Sequence, residues 1–113
     1  MIKLKYKNNK LEKIFNDENE MKKYFKNDKL LVNGLQALIF HFDRVDSIYD
    51  FINIDYLKGY NLEKIKDLNY YSIRVVPKKN KRKDRVILLV ISSDGKNVEI
   101  IDIDSEHRYN VKK

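Results

Sequence analysis

The chain has 113 residues, of which 42% are hydrophobic and 36% are charged, and its formal net charge is +7. This length suits one domain with its own hydrophobic core, and the positive charge favours nucleic acid, an anionic membrane or an acidic protein as a partner. The lack of cysteine excludes disulfides and thiolate metal sites, and no apolar run approaches the roughly 20 residues of a membrane span.

The N-terminal segment is predicted to be a strand followed by a helix. Residues 2–6 alternate apolar and charged side chains, which is typical of a strand and not of a secretory signal. Asn8 and Asn9 can begin a helix that extends to about residue 26, with a break near Asn16 and Asp17.

A second helix is predicted to begin after Asp28, a favourable N-cap residue. Its apolar stripe has helical spacing and consists of Leu31, Leu35, Leu38, Ile39 and Phe42. Residues 45–51 predict a further short helix or turn, and residues 52–69 follow no regular pattern.

The C-terminal half is predicted to be an antiparallel meander of strands over residues 71–76, 85–91 and 98–104. The last two are joined by a turn that contains Asp94-Gly95, a strong hairpin signal. Helices that precede a meander indicate an α+β fold, in which two to three N-terminal helices pack on one face of a small antiparallel sheet. We expect a single domain over residues 1–113.

The loop between the first two of these strands, residues 77–84, is the most basic segment of the chain. It carries five basic side chains among eight residues, and residues 70–113 have a net charge of +5 against +2 for residues 1–69. Because strands fix both ends of this cluster, we favour the interpretation that the loop binds a polyanion such as RNA. The alternative is that the loop is only a solvated segment. The predicted RNA-binding residues are Lys78, Lys79, Lys81, Arg82 and Lys83.

Several stretches resemble the RelE/ParE superfamily of bacterial toxins from type II toxin–antitoxin pairs, and its HigB-like branch in particular. The resemblance covers the whole chain in architecture and residues 57–109 in motif. It is carried by Leu57-Lys58-Gly59, by Tyr71 to Val75 (YSIRV), by Asp84 to Leu88 (DRVIL), and by Ile100 to Tyr109 with its EHRY ending. The basic loop is longer here than the connection in many members, and the terminal motif fits loosely.

The resemblance implies a RelE-like fold and a cytoplasmic, metal-independent endoribonuclease that cleaves messenger RNA, often on the ribosome. It also implies a cognate antitoxin that keeps the toxin inactive. Neither a cofactor nor a membrane is expected to take part. Because the ParE branch shares the fold and acts on gyrase, a gyrase-directed toxin is an alternative, as is a non-catalytic nucleic-acid-binding module on the same scaffold.

Metal-free RNA cleavage requires a base for the 2′-hydroxyl, cations for the transition state and an acid for the leaving oxygen. Arg74 and Arg85 are the predicted stabilising cations, since a guanidinium stays charged and can engage two phosphate oxygens. The alternative is that they are solvated, or paired with Asp102 or Asp104.

His107 is the leading proton-transfer residue because its ordinary pKa suits acid–base work, although a surface histidine in a tail would look the same. Glu106 is a weaker candidate for the base, and Tyr109 can stack on a nucleobase or bind a phosphate. The other histidine, His41, lies in an apolar helical stretch and is interpreted as structural. The sequence contains no glycine-rich phosphate loop, no His/Cys metal motif and no Ser-His-Asp set.

Overall fold

A computed structural model describes residues 1–65 and 69–105. Along the chain the elements are β1 (Lys3–Tyr6), α1 (Asn9–Asn16), α2 (Glu18–Tyr24), α3 (Lys29–Arg44), α4 (Asp50–Asn53), a 3₁₀ turn (Asp55–Tyr60), β2 (Glu63–Lys64), β3 (Tyr70–Arg74), a second 3₁₀ turn (Lys78–Asn80), β4 (Arg85–Val90) and β5 (Asn97–Asp104). The predicted α+β class is confirmed.

Side-chain caps set the starts of the first three helices. Asn8 Oδ1 accepts a hydrogen bond from the backbone N–H of Leu11 (2.9 Å), and Asp28 Oδ1 accepts one from that of Leu31 (3.3 Å). Asp17 ends α1 and caps α2, with Oδ1 2.9 Å from the amide nitrogen of Asn19. The predicted break in the first helix is therefore confirmed, because one residue ends one helix and begins the next.

The sheet has the strand order β1-β5-β4-β3-β2. Strands β2 to β5 pair antiparallel, whereas β1 joins the edge of β5 in parallel, so the sheet is mostly antiparallel. The short strand β2 and the first 3₁₀ turn lie in the segment that the sequence pattern left irregular. A two-residue strand is too short to show an alternation.

The hydrophobic core lies between the helices and one face of the sheet, here called the core face. Buried residues of α1, α2 and α3 pack there against Ile73 of β3, Val86 and Leu88 of β4, and Val98 and Ile100 of β5. Since neighbouring residues of a strand point to opposite faces, Arg85 and Ile87 belong to the other face, here called the arginine face.

A β-bulge in β5 decides which residues occupy the arginine face near the end of the sheet. Leu88 pairs with Ile100 and Ile87 pairs with Asp102, so Ile101 is an extra residue. The insertion reverses the alternation, which places Ile103 in the core and turns Asp102 and Asp104 to the arginine face.

Among the described residues, no helix combines the length and the apolar composition that crossing a membrane would require.

Close packing of α3 on the two residues that follow β3 requires a glycine. A Cβ on Gly34 would lie 2.3 Å from Val76 Cγ1 and 3.0 Å from the carbonyl oxygen of Val75. We predict that Gly34→Ala lowers the free energy of unfolding by about 1–3 kcal/mol, because the overpacking outweighs the gain in helix propensity. Urea unfolding would measure the change.

Gly59→Ala is the matched control, because a Cβ there would make only an ordinary 3.5 Å contact with Pro77. Its free energy of unfolding should remain within about 0.5 kcal/mol of the wild type. Equal losses in the two variants would contradict the packing argument.

Candidate nucleic-acid interface

The two arginines predicted from the sequence lie directly opposite each other. Arg74 of β3 is the register partner of Arg85 of β4, and Arg85 is in turn the partner of Asp104 of β5. All three residues are buried, with relative exposures of 7%, 3% and 0%. They form a row across the arginine face at the end of the sheet from which the basic loop leaves.

Arg85 is held mainly by weak contacts. Its Nη1 donates to the carbonyl oxygen of Asn61 and to Ser72 Oγ, both at 3.4 Å, and its Nη2 lies 3.6 Å from Glu63 Oε1. Its Nε is buried and has no hydrogen-bond partner in the part of the chain that the structure describes. Burial lowers the pKa of Arg85, Glu63 raises it, Arg74 lowers it and Asp104 raises it.

Arg74 connects the sheet to the basic loop. Its Nε donates to the carbonyl oxygen of Val76 (3.1 Å), and its Nη2 donates to the carbonyl oxygen of Arg82, on the far side of the loop. A planar guanidinium can hold two backbone oxygens in a fixed geometry. Arg74 therefore fixes the return of the chain from the loop into β4.

Arg82 is bonded to a residue outside the loop. Its Nη1 donates to Asp28 Oδ2, the carboxylate that caps α3, at 2.7 Å, and its Nη2 lies 3.7 Å from Asp84 Oδ1. The hydrogen bond raises the pKa of Arg82 and lowers that of Asp28. One carboxylate from the start of α3 and one from the loop itself thus lie beside Arg82.

The four lysines of the loop are exposed: Lys78, Lys79, Lys81 and Lys83. Lys78 lies in the second 3₁₀ turn, and Lys81 follows it with a left-handed φ of 60°. None of the four forms a salt bridge with a described residue. Their ammonium groups are therefore available to an anion outside the chain.

A surface cavity of about 360 Å³ lies beside the paired Asp28 and Arg82, and Tyr24, Asp84 and Ser105 also line it. The Tyr24 hydroxyl donates to the carbonyl oxygen of Ile103 at 3.3 Å. This cavity joins the α2–α3 connection to the loop and to the end of β5. Within residues 1–65 and 69–105, no cluster of three or more His, Cys, Asp or Glu side chains could hold a metal ion.

The other predicted site residues have different outcomes. Glu106, His107 and Tyr109 lie outside the described residues, so their roles remain predictions. His41 is half-buried, with its ring 5.5 Å from that of Tyr60, and burial lowers its pKa. That environment fits the structural interpretation of His41.

Sequence reasoning missed several of the groups that contact the predicted arginines. Asn61 and Glu63 lie in the segment without a regular pattern, and nothing in that segment indicated a contact with Arg85. Asp28 was interpreted only as a helix cap, because its ion pair with Arg82 spans 54 positions of sequence. Asp104 was considered as an arginine partner, and its place opposite Arg85 fits that interpretation.

Comparisons with models of protein families, with curated proteins and with solved structures found no match.

Asp84 is a buried carboxyl beside the same cluster, and burial raises its pKa; Arg82 lowers it, while Asp28 and Asp104 raise it further. Because the pKa of Asp84 is raised in the folded state, its carboxyl contributes stability that is present below the ordinary pKa of 3.8. This contribution is lost as the pH rises through the pKa of the folded state. We predict that Asp84→Asn increases the free energy of unfolding, and does so more at pH 7 than at pH 4. Urea unfolding at both pH values would measure it.

Asp94→Asn is a control of opposite sign, because hydrogen bonds from Ser92 and Lys96 lower the pKa of Asp94. Its stabilising contribution is present above 3.8 and is lost as pH falls through the folded-state value, so this variant should lose stability at pH 7 and approach the wild type at low pH. A loss of stability in Asp84→Asn that grows toward pH 7 would show that attraction to Arg82 outweighs the cost of burial.

Proposed function

We propose that the protein binds RNA through the loop between β3 and β4 and is a metal-independent endoribonuclease, the toxin of a type II toxin–antitoxin pair of RelE/HigB type. The observation that carries RNA binding is the loop itself, and the nuclease activity and toxin class rest on the resemblance of residues 57–109 to the RelE/ParE superfamily. The loop exposes four lysines without acidic partners among the described residues, and contacts from Arg74 and Asp28 anchor it to the rest of the molecule.

A flexible run of lysines also attracts RNA, but an anchored loop retains a fixed spacing of positive charges. Binding then costs less conformational entropy, because the loop is ordered before the ligand arrives. Lysine ammonium groups act as point charges on phosphates and do not read base identity. This chemistry suits RNA of varied sequence, while messenger RNA as the substrate, the ribosome and the cytoplasm are what the resemblance to RelE-type toxins implies.

The proposed cleavage uses the arginine face. A base removes the proton from the 2′-hydroxyl, whose oxygen attacks the adjacent phosphorus, and an acid protonates the departing 5′-oxygen. Arg74 and Arg85 would stabilise the negative charge of the transition state, while His107, Glu106 and Tyr109 would supply proton transfer and substrate contacts. The products are a 2′,3′-cyclic phosphate and a 5′-hydroxyl.

Arg85 is the better placed of the two arginines for phosphate. Its Nε donor is unpaired among the described residues, and its contacts of 3.4–3.6 Å lie beyond the usual range for strong hydrogen bonds. A phosphate oxygen would compete there with contacts that are individually weak. Since Arg85 is 3% exposed, productive binding requires displacement of the groups that cover it.

The same burial favours a second candidate, a non-catalytic RNA-binding protein on this scaffold. There Arg74 and Arg85 would serve only to build the loop and the sheet. The two functions share the lysine loop and differ in chemistry, so cleavage with mapped product ends distinguishes them.

We predict that replacing Lys78, Lys79, Lys81 and Lys83 with Gln weakens binding to single-stranded RNA and flattens its salt dependence. Each lost phosphate contact should reduce the slope of log affinity against log salt by about 0.7. Fluorescence anisotropy over a series of salt concentrations would measure both quantities.

The control replaces four exposed lysines elsewhere on the chain, so that both variants have the same net charge: Lys5, Lys13, Lys23 and Lys96. An equal loss of affinity in the two variants would show that overall charge alone explains the effect, and it would contradict a specific interface at the loop.

We predict that His107→Ala and Arg85→Lys each abolish cleavage of ribosome-bound messenger RNA while RNA binding persists, because they remove a proton-transfer group and a bidentate cation. Mapping of 5′-hydroxyl ends would report the reaction. No such ends with the wild-type protein, despite binding, would favour the non-catalytic module. Intact transcripts with DNA damage in growth-arrested cells would indicate a gyrase-directed toxin instead.

A further inference from the structure

One of the five basic residues in the loop differs from the other four. Lys78, Lys79, Lys81 and Lys83 are exposed, whereas Arg82 is half-buried, and 38% of its side chain is accessible. Its guanidinium is engaged by Asp28 at 2.7 Å and has Asp84 at 3.7 Å. Its Nη1 is therefore bonded within the protein, and its Nη2 lies near another carboxylate of the chain.

Both ends of Arg82 are fixed. The backbone carbonyl accepts a hydrogen bond from Arg74, which is rooted in β3, and the guanidinium is bound to Asp28, which begins α3. Directly before it, Lys81 has a left-handed φ of 60°, a conformation that non-glycine residues seldom adopt unless their surroundings impose it. Arg82 is thus the point where the loop conformation is held.

We propose that Asp28 is a positioning residue for RNA binding: by holding Arg82, it keeps the loop in the conformation that presents its four lysines to single-stranded RNA. This inference rests on the proposed function. The negative charge of Asp28 by itself repels RNA, yet in this role Asp28 increases the affinity for RNA.

Simple electrostatics and the positioning role predict effects of opposite sign for the loss of Asp28. If only charge mattered, removing a carboxylate near the loop would tighten binding and release Arg82 as a fifth phosphate contact. If Asp28 positions the loop, its loss leaves the loop less ordered before RNA binds. Binding then costs more conformational entropy, so affinity falls while the number of phosphate contacts is unchanged.

The test is Asp28→Asn, because Asn is as good an N-cap as Asp and preserves the start of α3. Asp17→Asn is the matched control, since Asp17 caps α2 in the same way and forms no salt bridge with a described residue. Both variants raise the net charge by one. We expect Asp28→Asn to bind a labelled single-stranded RNA about three- to tenfold more weakly than Asp17→Asn, with an unchanged salt slope.

Arg82→Gln completes a double-mutant cycle. The positioning role predicts that this variant weakens binding to a similar degree, and that adding Asp28→Asn to it causes no further loss. Tighter binding by Asp28→Asn than by Asp17→Asn would overturn the proposal in favour of simple electrostatics. A salt slope that becomes shallower by about 0.7 in Arg82→Gln would overturn it by showing that Arg82 contacts phosphate.

Limited digestion with trypsin separates this inference from the proposed function. Asp28→Asn should be cut after the loop lysines several-fold faster than Asp17→Asn, with cleavage elsewhere unchanged. If the wild type binds no RNA, the proposed function fails, and with it the role in binding. Equal rates of tryptic cleavage after the loop lysines in the two variants would show that Asp28 does not hold the loop.

Discussion

Two guanidinium groups buried side by side are the central constraint on this structure. Arg74 and Arg85 face each other across adjacent strands, where like charges repel and burial removes their hydration. Such a pair persists only where oxygens of the chain surround it. Backbone carbonyls stabilise Arg74, while the carboxylates of Asp104 and Glu63 lie near Arg85.

That constraint explains features that otherwise look incidental. Strand β2 is only two residues long, yet it brings Glu63 to the edge of the arginine face. The bulge at Ile101 turns Asp104 to the same face and leaves Ile103 in the core. If β5 alternated regularly without a bulge, Asp104 would lie among the apolar side chains of the core and Ile103 would lie beside the buried arginines, which is unfavourable at both positions.

The basic residues divide by chemistry as well as by position. Arg74 and Arg85 are buried and Arg82 is half-buried, and the guanidinium of each bonds oxygens of the chain, whereas the four loop lysines are exposed, where a strongly hydrated ammonium is stable. The arginines therefore stabilise the local structure, and the lysines supply the exposed positive charges. The proposed nuclease activity adds a second use for Arg85, whose contacts are the weakest of the set.

The sequence by itself determined the α+β class, the helix caps at Asn8 and Asp28, and the basic character of the loop, because these depend on periodicity and on contacts within a few residues. Only the tertiary structure decided which loop cation is held inward, since Asp28 lies far from Arg82 along the chain. The bulge also escaped prediction, although the Ile100-Ile101 pair interrupts the alternation of β5. A sequence pattern reflects interactions between residues that are close along the chain. The pairing of distant charges depends instead on which elements the packing of the core brings together.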